Sequence, residues 1–328
     1  MTYELTYYLF LVFVGLCLCI KQISSERLYS IFTITVLMGY SLVTRYAGFD
    51  VDMLVYQDSL SSSSFSIYYI KEPVYWISSR YVYDLIGSAE LTFFIYDILV
   101  FVLILKARKN FNLPQYFPYL YLIFFPSVFG INNVLRQFIS YAFFIYFVSL
   151  YFVESKTYKK LLFFILSFLT HNVAAIFLPI VFLLRNTVKL DLKTIVSMLG
   201  VLLLLPIAID TKSSVDTGEV NPVAYIIVIL FLIFFYLFSY RFKINYTNSK
   251  YFYMMIYFLT LTSWSSVLMA SAQSKRTAMF SLILSLIPIV KVVENLYKQK
   301  VVMRIIIFII LTIPTFVFSS SLTFLMTE

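Results

Sequence analysis

Hydrophobic positions form long, nearly unbroken runs along most of this chain, and polar positions are confined to short stretches between them. Since a helical membrane span needs about 20 mostly apolar residues, the pattern predicts an all-α, polytopic membrane helix bundle with about ten spans. The predicted spans are residues 3–20, 28–44, 89–106, 113–130, 133–153, 193–209, 222–240, 251–272, 275–291 and 304–320.

Segment 158–184 does not fit this alternation, because basic residues flank it on both sides, at 156–160 and 185–193. Lys and Arg favour the cytoplasmic side of a membrane. A single crossing would put one basic flank outside. A re-entrant helical pair, with His171 at its tip, keeps both flanks inside. The charges therefore favour a re-entrant hairpin over 158–184, and the single crossing is the alternative.

The longest polar stretch is residues 45–88, which the charge rule makes an outer loop, with both chain termini also outside. Within it, residues 73–87 have the pattern of a short amphipathic helix. Pro73 suits the first turn of such a helix and Gly87 suits its end. The organisation predicted is one integral membrane domain over residues 1–328.

Composition agrees with this class of protein, since 61% of the residues are hydrophobic and only 12% are charged. A soluble domain carries about 25% charged residues. The net charge of +9 is expected from cytoplasmic Lys and Arg and does not indicate nucleic-acid binding. Cys17 and Cys19 lie on different faces of one predicted helix, so they are interpreted as packing residues.

A few charged side chains fall near the predicted outer face. Charge beside lipid is costly and persists mainly where it lines a cavity or takes part in chemistry. Converging arginines favour a polyanion such as a diphosphate, whereas the alternative is that each one reaches to the outer headgroups. These residues are Arg45, Asp50, Glu72, Arg136, His171 and Arg276.

Three of these positions have specific chemistry. Arg136 follows two asparagines at the start of a span, where a guanidinium and a helix N-terminus can both bind phosphate. His171 is the only histidine, and is either a general base or a buried packing group. One histidine and two buried cysteines cannot supply a zinc site. Asp50 and Asp52 form a short acidic pair, which can hold a metal or act as a base, or can be an ordinary acidic loop.

Five short segments, taken in their order and spacing, resemble the EpsG/Wzy family of bacterial exopolysaccharide and O-antigen polymerases. The resemblance covers residues from about 40 to 290. The segments are Arg45-Tyr-Ala-Gly-Phe-Asp50 with Tyr56, Lys71-Glu72-Pro73, Asn133-Val-Leu-Arg136-Gln137, the histidine segment Phe168–Pro179, and Lys275-Arg276 with Pro288.

The resemblance implies an enzyme of the cytoplasmic membrane that joins undecaprenyl-diphosphate-linked oligosaccharides on its outer face. A repeat-unit flippase and a chain-length regulator are the expected protein partners, and no cofactor or metal is expected. A base must help the acceptor hydroxyl attack, and cations must stabilise the departing diphosphate. The predicted diphosphate ligands are Arg136 and Arg276 with Arg45 in support; the candidate bases are His171, Asp50 and Glu72; Gln137 and Tyr56 are expected to contact substrate.

Two other classes of protein remain open at this point. A flippase or transporter of lipid-linked oligosaccharides would also need an arginine-lined cavity, but it would need no base. A membrane glycosyltransferase with a lipid-monophosphate-sugar donor would depend on Asp50 and Asp52 and on a divalent cation.

Overall fold

The computed structural model describes residues 2–62, 67–185, 191–209, 222–243 and 249–326, and all regular secondary structure in these ranges is helical. The chain forms two compact units, Met1–Ala174 with Val301–Glu328, and Ala175–Lys300. Each unit is described separately below. The single membrane domain over the whole chain stays a prediction.

The first unit contains eleven of the described α-helices, and the second contains five. In chain order they are α1 (Tyr3–Ile20), α2 (Glu26–Tyr46), α3 (Val51–Ser61), α4 (Pro73–Ile86), α5 (Ala89–Phe111), α6 (Phe117–Ile123), α7 (Phe125–Asn132), α8 (Leu135–Ser149), α9 (Thr157–Thr170), α10 (Ile180–Arg185), α11 (Leu192–Ile209), α12 (Pro222–Ser239), α13 (Ser249–Leu268), α14 (Ser271–Leu296), α15 (Lys300–Val317) and α16 (Ser319–Met326).

Local sequence explains where several helices begin and end. The hydroxyl oxygens of Thr2, Ser25 and Ser88 accept backbone N–H groups in the first turns of α1, α2 and α5, which satisfies donors that have no partner within the helix. Gly87 ends α4 with φ 75°, a conformation that glycine adopts without steric cost. Helix α4 therefore has Pro73 as its first residue and Gly87 directly after its last residue.

Helix α8 lies at the centre of the first unit and packs against α5, α7 and α9. Almost every residue from Leu135 to Ser149 is buried, which fits an α-helix that is apolar on all faces. Arg136, at its second position, is the one charged residue of this helix. The unit thus carries a buried guanidinium at the start of its central helix.

The structure changes two of the predicted boundaries. The run 113–130 is not one helix but α6 and α7, which break at Phe124 because Pro126 cannot donate to the preceding turn. The run 275–291 is also longer than predicted, since α14 spans 26 residues and contains Lys275 and Arg276 within its helical backbone. Polar residues continue this helix at both ends beyond its hydrophobic core, so the predicted bounds of 275 and 291 were too narrow.

Five described helices are long and apolar enough to cross a membrane by length and composition. They are Tyr3–Ile20, Glu26–Tyr46, Pro222–Ser239, Ser271–Leu296 and Lys300–Val317. The all-helical class is confirmed, whereas ten spans are not.

The segment predicted to be re-entrant is interrupted at His171. Helix α9 ends at Thr170, His171 has extended backbone angles (φ −153°, ψ 116°), and a 3₁₀ helix follows over Asn172–Phe177. The return of this segment to the cytoplasmic side stays a prediction.

Candidate functional site

The carboxylate of Glu72 is the centre of a buried polar cluster in the first unit. It accepts an ion-pair hydrogen bond from the guanidinium of Arg136. It also lies 2.7 Å from Nδ1 of His171 and accepts the backbone N–H of Asn172 at 3.2 Å. One side chain, 1% exposed, therefore links the start of α4, the start of α8 and the end of α9.

The position of Glu72 in the chain favours an ionised carboxylate. Glu72 precedes Pro73 at the N-terminus of α4, where a helix favours negative charge. Burial by itself raises the pKa of Glu72, but His171, Arg136 and the Asn172 N–H outweigh burial and lower this pKa below its usual range. A carboxylate held so firmly in its ionised form is a weak base, so it is suited to orienting its neighbours.

His171 is placed by this carboxylate. Since an ionised carboxylate only accepts hydrogen bonds, the proton of a neutral imidazole belongs on Nδ1, which faces Glu72. Nε2 is then the nitrogen that carries the basic lone pair. The side chain is 4% exposed, and its ring orientation is fixed in the way that a general base requires.

Arg136 lies against aromatic rings as well as against Glu72. Its Nε donates to the hydroxyl of Tyr56 at 3.3 Å, and its guanidinium carbon lies 4.7 Å from the ring centroid of Trp76 and 5.3 Å from that of Tyr56. Arg136, Tyr56 and Trp76 are all buried. The charge of Arg136 is therefore largely removed from water. In these buried surroundings its attraction to an anion is stronger than it would be at an exposed site.

Two serines fix the helices that carry Arg136 and His171. The hydroxyl of Ser140 donates to the carbonyl of Ser167 at 3.0 Å, and the hydroxyl of Ser167 donates to the carbonyl of Ser140 at 2.9 Å. Ser140 is one turn after Arg136 on α8, and Ser167 is one turn before His171 on α9. This reciprocal pair therefore aligns the helix that carries Arg136 with the helix that ends before His171.

Two further predicted residues lie close to this cluster. Asp50, at the N-terminal end of α3, accepts a hydrogen bond from the side-chain amide of Asn133, which precedes α8. Gln137 is next to Arg136 and is 1% exposed. Their roles toward substrate stay predictions.

Arg45 lies outside the Glu72 cluster, in a separate pair. Its Nε and Nη2 each lie 2.8 Å from one of the two carboxylate oxygens of Asp97, and the side chain is 1% exposed. This arrangement fits a supporting role better than direct contact with a phosphate.

Arg276 belongs to the second unit, near the start of α14. Its neighbour Lys275 is 8% exposed. The sequence therefore identified four members of one cluster, Tyr56, Glu72, Arg136 and His171, while convergence of Arg276 with them stays a prediction.

Sequence reasoning missed Trp76, Asp97 and the serine pair. The sequence pattern could have indicated Trp76, because this residue lies close after Glu72 and on the same face of the amphipathic helix as Ser79. The pattern could also have indicated Asp97, because an isolated carboxylate in an apolar helix is costly without a partner.

Within the described ranges, no group of three His, Cys, Asp or Glu residues could hold a metal ion.

The lowered pKa of Glu72 gives an expected pH dependence. Its pairing stabilises the fold fully above the ordinary carboxyl pKa of 4.5, and this stabilisation is lost progressively as the pH falls below it. The melting temperature of the purified protein should fall from about pH 6 to about pH 3, and this slope should be shallower in Glu72→Gln. Glu26→Gln, at a half-exposed ion pair with Arg108, is the control for loss of a paired carboxylate, and at pH 7 it should lower the melting temperature less than Glu72→Gln does. Equal slopes in wild type and Glu72→Gln would contradict the conclusion that ionised Glu72 stabilises the fold.

The fold and this cluster define a multi-pass helical membrane protein with a buried carboxylate–guanidinium–imidazole site. Comparison with family models gives a match to the EpsG family over residues 26–326, so the chain belongs to the EpsG family. Membership indicates a membrane protein of the polysaccharide-polymerase type. No curated protein and no solved structure matches the chain.

Proposed function

We propose that this protein is a polysaccharide polymerase that joins undecaprenyl-diphosphate-linked oligosaccharide repeat units on the outer face of the bacterial cytoplasmic membrane. The observation that carries the proposal is the contact of one buried carboxylate, Glu72, with both Arg136 and His171. Such a cluster brings a cation for a diphosphate and a base for a hydroxyl to one place.

The reaction is a displacement at the anomeric carbon of the growing chain. A hydroxyl oxygen of the incoming unit forms a bond to that carbon, and the bond from the carbon to the diphosphate oxygen breaks. The hydroxyl proton goes to Nε2 of His171, and undecaprenyl diphosphate leaves with the bonding electron pair. The incoming unit keeps its own lipid diphosphate, so the lengthened chain is the next donor.

Each residue of the cluster has a separate task in this scheme. Arg136 stabilises the charge that develops on the departing diphosphate, in a buried setting where such stabilisation is largest. A guanidinium has five N–H donors, so it can hold Glu72 and phosphate oxygens together. Glu72 holds the proton on Nδ1 of His171 and stabilises the imidazolium that forms. The scheme requires no metal ion, because the cationic charge comes from arginine, and Arg276 is a second proposed source of it.

The choice of base follows from the contacts. Glu72 is paired with two cationic or potentially cationic groups and has a lowered pKa, which makes it a poor proton acceptor. Asp50, at the start of α3, accepts a hydrogen bond from the side-chain amide of Asn133. His171 remains the base that the geometry favours. A repeat-unit flippase and a chain-length regulator are the proposed protein partners, since such a polymerase needs substrate delivered to the outer face.

The proposed activity can be measured directly. Purified protein in detergent, given lipid-diphosphate-linked repeat units and no nucleotide sugar, should produce a ladder of longer glycans and release undecaprenyl diphosphate. EDTA should not abolish the ladder, because no step uses a divalent cation.

Two outcomes would favour other classes of protein. Movement of the lipid-linked units across vesicle membranes without any ladder would indicate a flippase. A ladder that forms only from lipid-monophosphate-sugar donors and a divalent cation would indicate a glycosyltransferase that depends on Asp50 and Asp52. Glu72→Gln with its matched control Glu26→Gln separates loss of chemistry from loss of folding, because Glu72 contacts His171 whereas Glu26 is paired with Arg108.

A further inference from the structure

A second ion pair in the first unit is more deeply buried than the Glu72 cluster. Arg45, in the last turn of α2, and Asp97, on α5, are 1% and 0% exposed. The guanidinium binds the carboxylate through two parallel hydrogen bonds of 2.8 Å. Ser41, one turn earlier on α2, donates to the same carboxylate at 2.5 Å.

The same guanidinium also reaches a third element. Nη1 of Arg45 donates to the backbone carbonyl of Ile131 at 2.8 Å. Ile131 is in the last turn of α7, where carbonyl groups have no partner within the helix. Arg45 therefore ties the end of α7 to α2 and α5.

This attachment lies immediately before the functional part of α8. Asn133 has non-helical backbone angles (φ −133°, ψ −57°), and Val134, the residue before α8, makes no side-chain hydrogen bond to the first turn of that helix. Arg136 follows two residues later. The hydrogen bond from Arg45 to Ile131 therefore holds the turn from which α8 starts.

We infer that the Arg45–Asp97 pair is a positioning device for Arg136, acting through the carbonyl of Ile131, and is not a ligand of the diphosphate. The inference rests on the proposed function. It assigns Asp97 a role, because this carboxylate binds Nε and Nη2 of Arg45 and so orients Nη1 toward the carbonyl of Ile131.

The structure offers a matched control on the same two helices. Glu26, the first residue of α2, is ion-paired with Arg108, in the last turn of α5. This pair lies at the opposite end of α2 from Arg45. It joins the same helices, and Arg108 further contacts the carbonyl of Leu113 and the ring of Tyr29, both outside the α7–α8 turn.

The test replaces both members of each pair by apolar residues, because removing one partner alone would leave a buried uncompensated charge. The variants are Arg45→Met with Asp97→Leu, and as control Arg108→Met with Glu26→Leu. Three measurements are made on detergent-purified protein. They are the hydrogen exchange of the backbone amides of residues 132–137, the kcat of polymerisation, and the Kd for undecaprenyl diphosphate.

The Arg45/Asp97 variant should exchange faster at 132–137, and its kcat should fall about 10- to 100-fold, since misplacement by about 1 Å costs that much. Its Kd for undecaprenyl diphosphate should change less than about threefold, because Arg136 itself is retained. The control should leave exchange at 132–137, kcat and Kd unchanged. A large rise in Kd with unchanged kcat would make Arg45 a direct ligand and overturn the inference, as would unchanged exchange at 132–137. Exchange needs no substrate, so it decides the positioning role even if wild-type protein makes no polymer, a result that would instead reject the proposed function.

Discussion

Arg136→Ala is expected to abolish detectable polymer, with a loss of at least about 10²–10³-fold in turnover, because it removes the buried cation beside the proposed leaving group. Arg136→Lys should recover little of this activity. A lysine ammonium is a point charge and cannot contact Glu72, the Tyr56 hydroxyl and a phosphate with the geometry of a guanidinium. The measurement is polymer length and yield, per molecule of protein inserted in the membrane.

The chain provides a matched control for this pair of variants. Arg108 is also buried, is ion-paired with a glutamate and lies 4.9 Å from the ring centroid of Tyr29. Arg108→Lys should therefore show what the loss of a buried arginine does to folding alone, and polymer yield per folded molecule should stay near wild type. Full activity in Arg136→Lys would mean that Arg136 is only an anchor or packing residue.

His171→Ala should lower turnover by about 10²–10⁴-fold while substrate binding changes little, because a general base acts on the reaction step. His171→Gln should be equally poor, since an amide can accept a hydrogen bond but cannot take up a proton. The assay is kcat, measured together with the Kd of the lipid-linked repeat unit.

The second variant distinguishes two roles for the same contact. If His171→Gln remains active, the imidazole serves only as a hydrogen-bonding group to Glu72, and Asp50 becomes the next candidate base. Asn172→Ala is a useful comparison, because Asn172 contacts Glu72 through its backbone N–H. That contact survives the substitution, so Asn172→Ala should keep most of the activity.

The sequence predicted the helical class and singled out several of the side chains that meet at Glu72, but it did not predict which side chains are partners. Glu72 and Arg136 are 64 residues apart, and Glu72 and His171 are 99 apart. Each charged residue in an apolar sequence can be recognised by itself as unusual, because a charge beside lipid is costly. Their pairing depends on how helices pack, and that information is spread over many apolar contacts.

Arg45 illustrates this limit. Its position near the end of an apolar run identified it as unusual, but its partner Asp97 lies 52 residues further along, within what looked like an ordinary span. Ser140 and Ser167 gave no signal at all, since serines are common in helices and only their burial and reciprocal hydrogen bonds distinguish them. Helix boundaries failed for a different reason, because a proline divided one apolar run and polar residues extended another.

The pairing of Glu72 with Arg136 also has a consequence for selectivity among anions. In the substrate-free protein the guanidinium already has a carboxylate beside it, so this site does not present an uncompensated positive charge to the medium. Small singly charged ions gain little by entering, since they would have to compete with an internal anion held at fixed distance. A diphosphate carries more charge and more acceptor oxygens, and its lipid and sugar supply further binding energy. Glu72 thus competes with incoming anions for Arg136, and we expect chloride at physiological concentrations to inhibit the protein only weakly.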